Sequence, residues 1–143
     1  MREQDIISLL SKIRDQANKF ITNKMVDYGV YELAPSHGDI IFTLLSTEKI
    51  AMKDLAGSIK KDKSTVTVLV EKLVRLGYVK KERDVADNRI TYLSLTQKGQ
   101  DLKPMFDDIS KNLFETVYQN IPKEERMALM QSLEKINQNF NNN

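Results

Sequence analysis

The 143-residue sequence contains no cysteine. Disulfides, a thiolate nucleophile, thiol-based redox sensing and Cys-ligated zinc are therefore excluded. Its one histidine, His37, cannot build a His-rich metal site by itself. The five glycines never cluster into a phosphate-cradling loop. No apolar run approaches the roughly 20 residues that span a bilayer. The opening Met1-Arg2-Glu3-Gln4-Asp5 leads into mixed polar and apolar sequence rather than a signal-peptide core. The expectation is a cytoplasmic protein with no membrane association, no metal and no cofactor. Adjacent carboxylates (Asp107-Asp108, Glu124-Glu125) would point apart on a helix, and no Ser/His/Asp arrangement is visible. Nothing in the sequence supports an enzyme.

What is present is enough apolar sequence, 41% of residues, for one core. A charged share of 29% is typical of a soluble domain. A single domain over 1–143 is expected. The charge is unevenly placed. Residues 1–50 carry 6 Lys/Arg against 7 Asp/Glu, and residues 104–143 carry 4 against 6. Residues 51–103 carry 12 against 7, a net of +5. A basic middle between mildly acidic ends fits a polyanion-binding module; charge alone fits an ordinary solvated surface equally well.

Ile6, Leu9, Leu10, Ile13, Ala17, Phe20 and Ile21 fall at helical spacing, predicting one long helix that stops before Tyr28-Gly29. Ser36 reads as the N-cap of a second helix carrying Ile40, Ile41, Leu44 and Leu45. Ile50-Ala51-Met52 reads as a small strand or a turn. Lys53 to Ile59 forms a short helix, with Leu55, Ala56 and Ile59 inward. Asp62 then caps a helix from Lys63 to Leu76, ended by Gly77. Beyond Gly77 the period shifts from 3.6 toward 2. Residues 78–83 and 90–95 read as paired strands around a charged tip, Asp84 to Arg89. Thr96 caps a long helix starting at Gln97, with Pro104 in its early turns or at a kink. Pro122 takes the first position of a last helix, with Glu124 and Glu125 in its first turn.

This order predicts a mainly α protein with a small β-hairpin wing: a winged helix-turn-helix core over about 36–100. Terminal helices over about 1–30 and 104–143 carry long apolar stripes that a small winged domain does not need. Pairing them between two copies would place two groove-entering helices about 34 Å apart, one DNA turn. On the helix from Lys63, the small polar residues Ser64, Thr65 and Thr67, with Val68, would let the helix approach base edges, and Lys63 and Lys72 supply charge. Three hydroxyl residues in four positions are poor choices for an ordinary solvent face. Arg89, just past the wing tip, with Arg83, Lys80 and Lys81 nearby, suits a narrow minor groove; pairing with Asp87 or Asp84 is the plainer reading. A winged-helix protein–protein interaction module without DNA contact is the rival function. His37 is expected as a polar surface or cap-region residue.

Three ordered stretches resemble the MarR family (multiple antibiotic resistance regulators): Asp54-Leu55-Ala56 followed by Ser64-Thr65-Val66-Thr67; Glu71-Lys72-Leu73-Val74-Arg75-Leu76-Gly77-Tyr78-Val79; and Asp87-Asn88-Arg89 followed by Leu95-Thr96-Gln97-Lys98-Gly99. The resemblance covers essentially the whole chain. It implies a cytoplasmic homodimer on a pseudo-palindromic double-stranded DNA operator, usually a repressor. It implies that Ser64, Thr65, Thr67 and Val68 face bases, that Arg89 enters the minor groove oriented by Asp87, and that Ser36 and His37 lie near phosphate. It also implies a small aromatic or anionic effector where the arms meet the DNA-binding part, near Phe20, Tyr31 and Phe42, residues that plain core packing would also explain. One departure from the family is Val68, which stands where many members carry Arg or another polar residue.

Overall fold

Helical spacing of apolar residues winds the first segment into α1 (Ile6–Asp27). Gly29, at φ +83°, ends it, its N–H donating to the Val26 carbonyl at 2.8 Å. The structure, a computed structural model describing residues 1–143, continues with α2 (Pro35–Leu45), β1 (Ile50–Ala51), α3 (Met52–Ile59) and α4 (Lys63–Arg75). Then come β2 (Val79–Arg83), β3 (Thr91–Leu95), α5 (Gln97–Gln100), α6 (Lys103–Val117) and α7 (Lys123–Asn141). The backbone clusters into two compact units, Met1–Ser110 and Lys111–Asn143. No helix is long and apolar enough to cross a membrane.

In the first unit the inward faces meet in one cluster. Ile40, Ile41 and Leu44 of α2, Leu55 of α3, and Val66, Val70 and Leu73 of α4 are buried with Val79, Leu93 and Leu95 of the sheet and Met105, Phe106 and Ile109 of α6. The strands are antiparallel in the order β1-β3-β2, paired from Val79 opposite Leu95 to Arg83 opposite Thr91. The wing is thus a three-stranded sheet rather than a lone hairpin. The strand option at Ile50-Ala51 is the one realised, with Ile50 opposite Leu93. A third strand covers one edge of β3, and isolated two-stranded hairpins are marginal in water.

Three sequence expectations shift. Ser36 is not the N-cap of α2; Pro35 occupies the first helical position and Ala34 the cap, because proline's fixed φ and missing N–H suit that first position. The helix expected from Thr96 is two helices. Thr96 caps α5 alone, its Oγ1 accepting from the Gly99 N–H at 3.2 Å. Pro104, with no N–H to return to the preceding turn, sits second in α6. Pro122 is the N-cap of α7 rather than its first residue, since its ψ of 154° is extended.

In the second unit, Asn120 adopts φ +61° in the turn between α6 and α7. Arg126 holds that turn from below: its Nε donates to the Ile121 carbonyl at 2.8 Å, and its guanidinium lies 4.8 Å from the Tyr118 ring centroid. No residue of α7 is buried, and Met127, Leu129, Met130 and Phe140 are exposed.

The wing and α4 are joined at one tight crossing. A Cβ on Gly99 would collide with the Tyr78 backbone carbonyl and with Leu95. Backbone cannot yield as a flexible side chain can, so Gly99→Ala is expected to cost about 2–3 kcal/mol, read as a lowered urea midpoint. An unchanged midpoint would mean the crossing is looser than described.

Candidate nucleic-acid interface

The start of α4 is built by Asp62. Its Oδ1 accepts from the Thr65 N–H at 2.8 Å and from the Ser64 hydroxyl at 2.9 Å. The Thr65 amide and the Thr65 and Ser64 hydroxyls together hold the Asp62 carboxyl below its usual range, so it remains a charged acceptor at the positive end of the helix. One turn on, the Thr67 hydroxyl donates to the Lys63 carbonyl at 2.8 Å. Val66, Val70 and Leu73 point into the core. This leaves Lys63, Ser64, Thr65 and Val68 exposed, with Thr67 half-buried beside them. Before α4, Lys60 turns the chain in the left-handed region at φ +56°, and Lys61 follows it.

At the wing, Arg89 pairs with Asp87, the plainer of its two sequence readings. Its Nε and a terminal amine donate to the two carboxylate oxygens of Asp87, each at 3.0 Å, and its backbone N–H donates to Oδ1 at 3.0 Å. Asp87 is fixed in turn because its N–H donates to Asp84 at 3.1 Å. Yet the Arg89 side chain is 90% exposed. The ion pair in water adds little stability; its effect is geometric, fixing the orientation of the guanidinium. The Arg89 guanidinium holds the Asp87 carboxyl below its usual range.

Between wing and helices lies an open cleft of about 750 Å³ lined by Lys53, Lys63, Lys81, Arg83 and Arg89 and by one carboxylate, Asp54, with Tyr92 and Ile90 among its apolar walls. Strand alternation explains Lys81 and Arg83: they continue the face that buries Val79, running outward past the edge of the core. Sequence reasoning missed Lys53 and Tyr92 as members of this cleft. The pairing of β1 with β3, which brings the start of α3 against the wing, carried no period to betray it. No group of three or more His, Cys, Asp or Glu is placed to hold a metal ion.

Ser36 and His37 sit at the start of α2. His37 is 6% exposed and not a surface residue. Its Nδ1 accepts from the Ala34 N–H at 2.9 Å, so it is a cap in the manner of the third-position residue of a capping box. Ser36 is part-exposed beside it. Burial, and then the nearby positive charge of Lys72, pushes the His37 imidazole below its ordinary value of 6.5. Phe20 is half-buried on α1 with Lys24 Nζ 5.6 Å from its ring, whereas Tyr31 and Phe42 are 72% and 56% exposed. These three line neither the wing cleft nor the smaller cavity of about 360 Å³ around Leu44, Leu95 and Lys103. Phe42 projects away from the face on which Ile40, Ile41 and Leu44 enter the core.

Residues 31–105 match the family described as transcriptional regulator SarA/Rot. The chain is similar to the HTH-type transcriptional regulator SarZ of Staphylococcus epidermidis, 31% identical over 126 residues that cover 87% of this chain and 84% of that protein. Among solved structures it resembles a MarR transcriptional regulator from Methanosarcina mazei, 26% identical, with a TM-score of 0.80 and 96% of each chain covered. The Staphylococcus aureus MepR–DNA complex superposes with a TM-score of 0.85 at 18% identity, covering 97% of this chain and 98% of that one, a likeness of fold.

The His37 cap titrates. Folded His37 resists protonation while the unfolded residue takes a proton near 6.5, so its contribution, full above that pH, is lost as pH falls through the lower folded value. The melting temperature should drop as the pH falls below about 7, and His37→Gln, which keeps an acceptor but no titration, should flatten that drop. Parallel curves for the two proteins would contradict the cap's role.

Proposed function

The chain belongs to the SarA/Rot family of transcriptional regulators and has the MarR-type winged-helix fold, and on that premise we propose that it binds a pseudo-palindromic operator in duplex DNA as a homodimer in the cytoplasm. The start of α4 enters the major groove, which accepts one helix. Arg89 enters the adjacent minor groove, where a narrow, negative channel suits a guanidinium. Lys53, Lys81 and Arg83 follow the phosphates between the two, and Ser36 lies near phosphate at the start of α2.

The observation that carries this reading is the Asp87–Arg89 fork, ordered by three hydrogen bonds and still almost wholly open to solvent. A positively charged donor held in place and left exposed is arranged for a partner of opposite charge.

The homodimer rests on the terminal helices. Ile6, Ile7 and Ile13 of α1 and Met127, Leu129, Met130 and Phe140 of α7 are apolar and exposed. Exposed apolar residues gathered along helices mark association surfaces. A dimer seated on its operator represses by occupying the promoter. A small aromatic or anionic effector that changes the spacing of the two recognition helices releases it; Tyr31 and Phe42 offer aromatic surface open to such a ligand.

Selecting bound fragments from random duplexes with purified protein tests the reading as a whole. It should return inverted half-sites about 10 base pairs apart. Arg89→Ala should weaken binding to the selected site roughly ten-fold; equal affinity would remove the wing from recognition. Met130→Glu should shift the protein toward one copy in sedimentation equilibrium, and an unchanged dimer would place the interface elsewhere.

A further inference from the structure

Two of the three hydroxyls at the outward start of α4 have spent their hydrogen-bond donors. The Ser64 hydroxyl donates to Asp62 Oδ1 at 2.9 Å and the Thr67 hydroxyl to the Lys63 carbonyl at 2.8 Å. The Thr65 amide donates to the same Asp62 oxygen at 2.8 Å, and its hydroxyl faces that carboxylate. What these residues still present outward is hydroxyl lone pairs and methyl groups. Between them Val68 is 67% exposed, an apolar β-branched side chain on a helix surface, where such residues have poor intrinsic preference. Lys63, at the helix start, lines the wing cleft, and Lys72 is half-buried toward His37. Lys72 and the exposed Arg75, four and seven residues on, share the Val68 side of the helix but lie one and two turns beyond it.

The first turns of that face, from Ser64 to Val68, carry no side chain of the Arg or Lys kind that makes the two-donor contact recognising guanine O6 and N7. Their complement in the major groove is a thymine, whose 5-methyl offers apolar contact, beside an exocyclic amino group that donates to a hydroxyl lone pair. We propose that Val68 is a specificity-determining residue that reads a thymine 5-methyl group in each half-site, with the hydroxyl of Thr65 or Thr67 accepting from a neighbouring base amino group. This deepens the operator-binding reading above and rests on it.

The methyl can be removed without touching base pairing, by placing uracil for thymine. In the selected duplex, each thymine of a half-site is replaced singly by uracil and affinity is measured for the wild-type protein and Val68→Ala. Val68 is exposed, so the variant should fold, and an unchanged circular dichroism melt verifies this. At one or two positions uracil should weaken wild-type binding by about three- to five-fold per methyl. Val68→Ala should bind the thymine and uracil duplexes alike at those positions. Replacing guanines by 7-deazaguanine next to the same positions should have no effect.

Wild-type binding that is indifferent to every methyl would overturn the assignment. So would a thymine–uracil difference that survives Val68→Ala, or a strong loss with 7-deazaguanine at the Val68 position. Sequence-selective binding with any of these results leaves operator recognition standing and removes only the methyl contact. Failure to bind any duplex at low salt would overturn both.

Discussion

The placement of α4 depends on one crossing of backbone, where the chain leaving it at Gly77-Tyr78 passes against the chain entering α5 at Thr96-Gly99. Gly77, at φ +86°, turns the chain out of the helix. The Thr96 hydroxyl then donates to the Gly77 carbonyl at 2.5 Å, and the Thr96 N–H donates to the Tyr78 carbonyl at 3.1 Å. Lys98 reaches over this joint, its Nζ donating to the Leu76 carbonyl at 2.7 Å and lying 4.5 Å from the Tyr78 ring centroid. The last carbonyls of α4 are satisfied locally, Lys72, Leu73 and Val74 accepting from the N–H groups of Leu76, Tyr78 and Gly77, and the next two, of Leu76 and Gly77, are satisfied by groups from beyond the wing. The close approach requires a residue without Cβ at 99. The end of α4, the base of β2 and β3 and the start of α5 thus form one fixed piece, and the far end of the wing inherits its angle to the helix.

From that piece the interface extends by local polar bonds. Asp62 orders the start of α4, and Asp87 orders Arg89. Each aspartate is held charged by the donors around it. The exposed Asp87–Arg89 pair adds little to folding in water, whereas the Asp62 cap stabilises the start of α4; both leave less conformational freedom to be lost on contact with a partner. The bonds at the helix start consume two of its three hydroxyl donors and leave methyls outward, so stabilising the helix end also decides the chemistry of its surface.

Much of this was legible in the sequence because it is local. The 3.6-residue period, the glycines at 29 and 77, the Asp62 cap and the change of period at Tyr78 each depend on residues a few positions apart. The Asp87-Asn88-Arg89 spacing marked the wing tip for the same reason. What was hidden depends on distant partners or on competition at helix ends. Two residues, Ile50-Ala51, cannot declare a strand until β3 pairs with them, so Lys53 and Tyr92 were not seen to share a cleft with Arg89. Ser36 looked like a cap, but Pro35 took the first turn and His37 reached back to the Ala34 N–H. Burial of His37 follows from packing that no short window contains. The Leu95-Thr96-x-x-Gly99 pattern was recognisable as a family feature, while its physical cause, the close pass of the Tyr78 carbonyl, became visible only in three dimensions.

The central claim is that two copies present a fixed helix and a fixed arginine to successive grooves of one duplex. Hydroxyl-radical footprinting on a selected operator tests it most directly. The account predicts protections symmetric about the centre of the site, with outer minor-groove protections that disappear in Arg89→Ala while the inner ones persist. A single unsymmetrical footprint, or outer protections untouched by loss of Arg89, would contradict it.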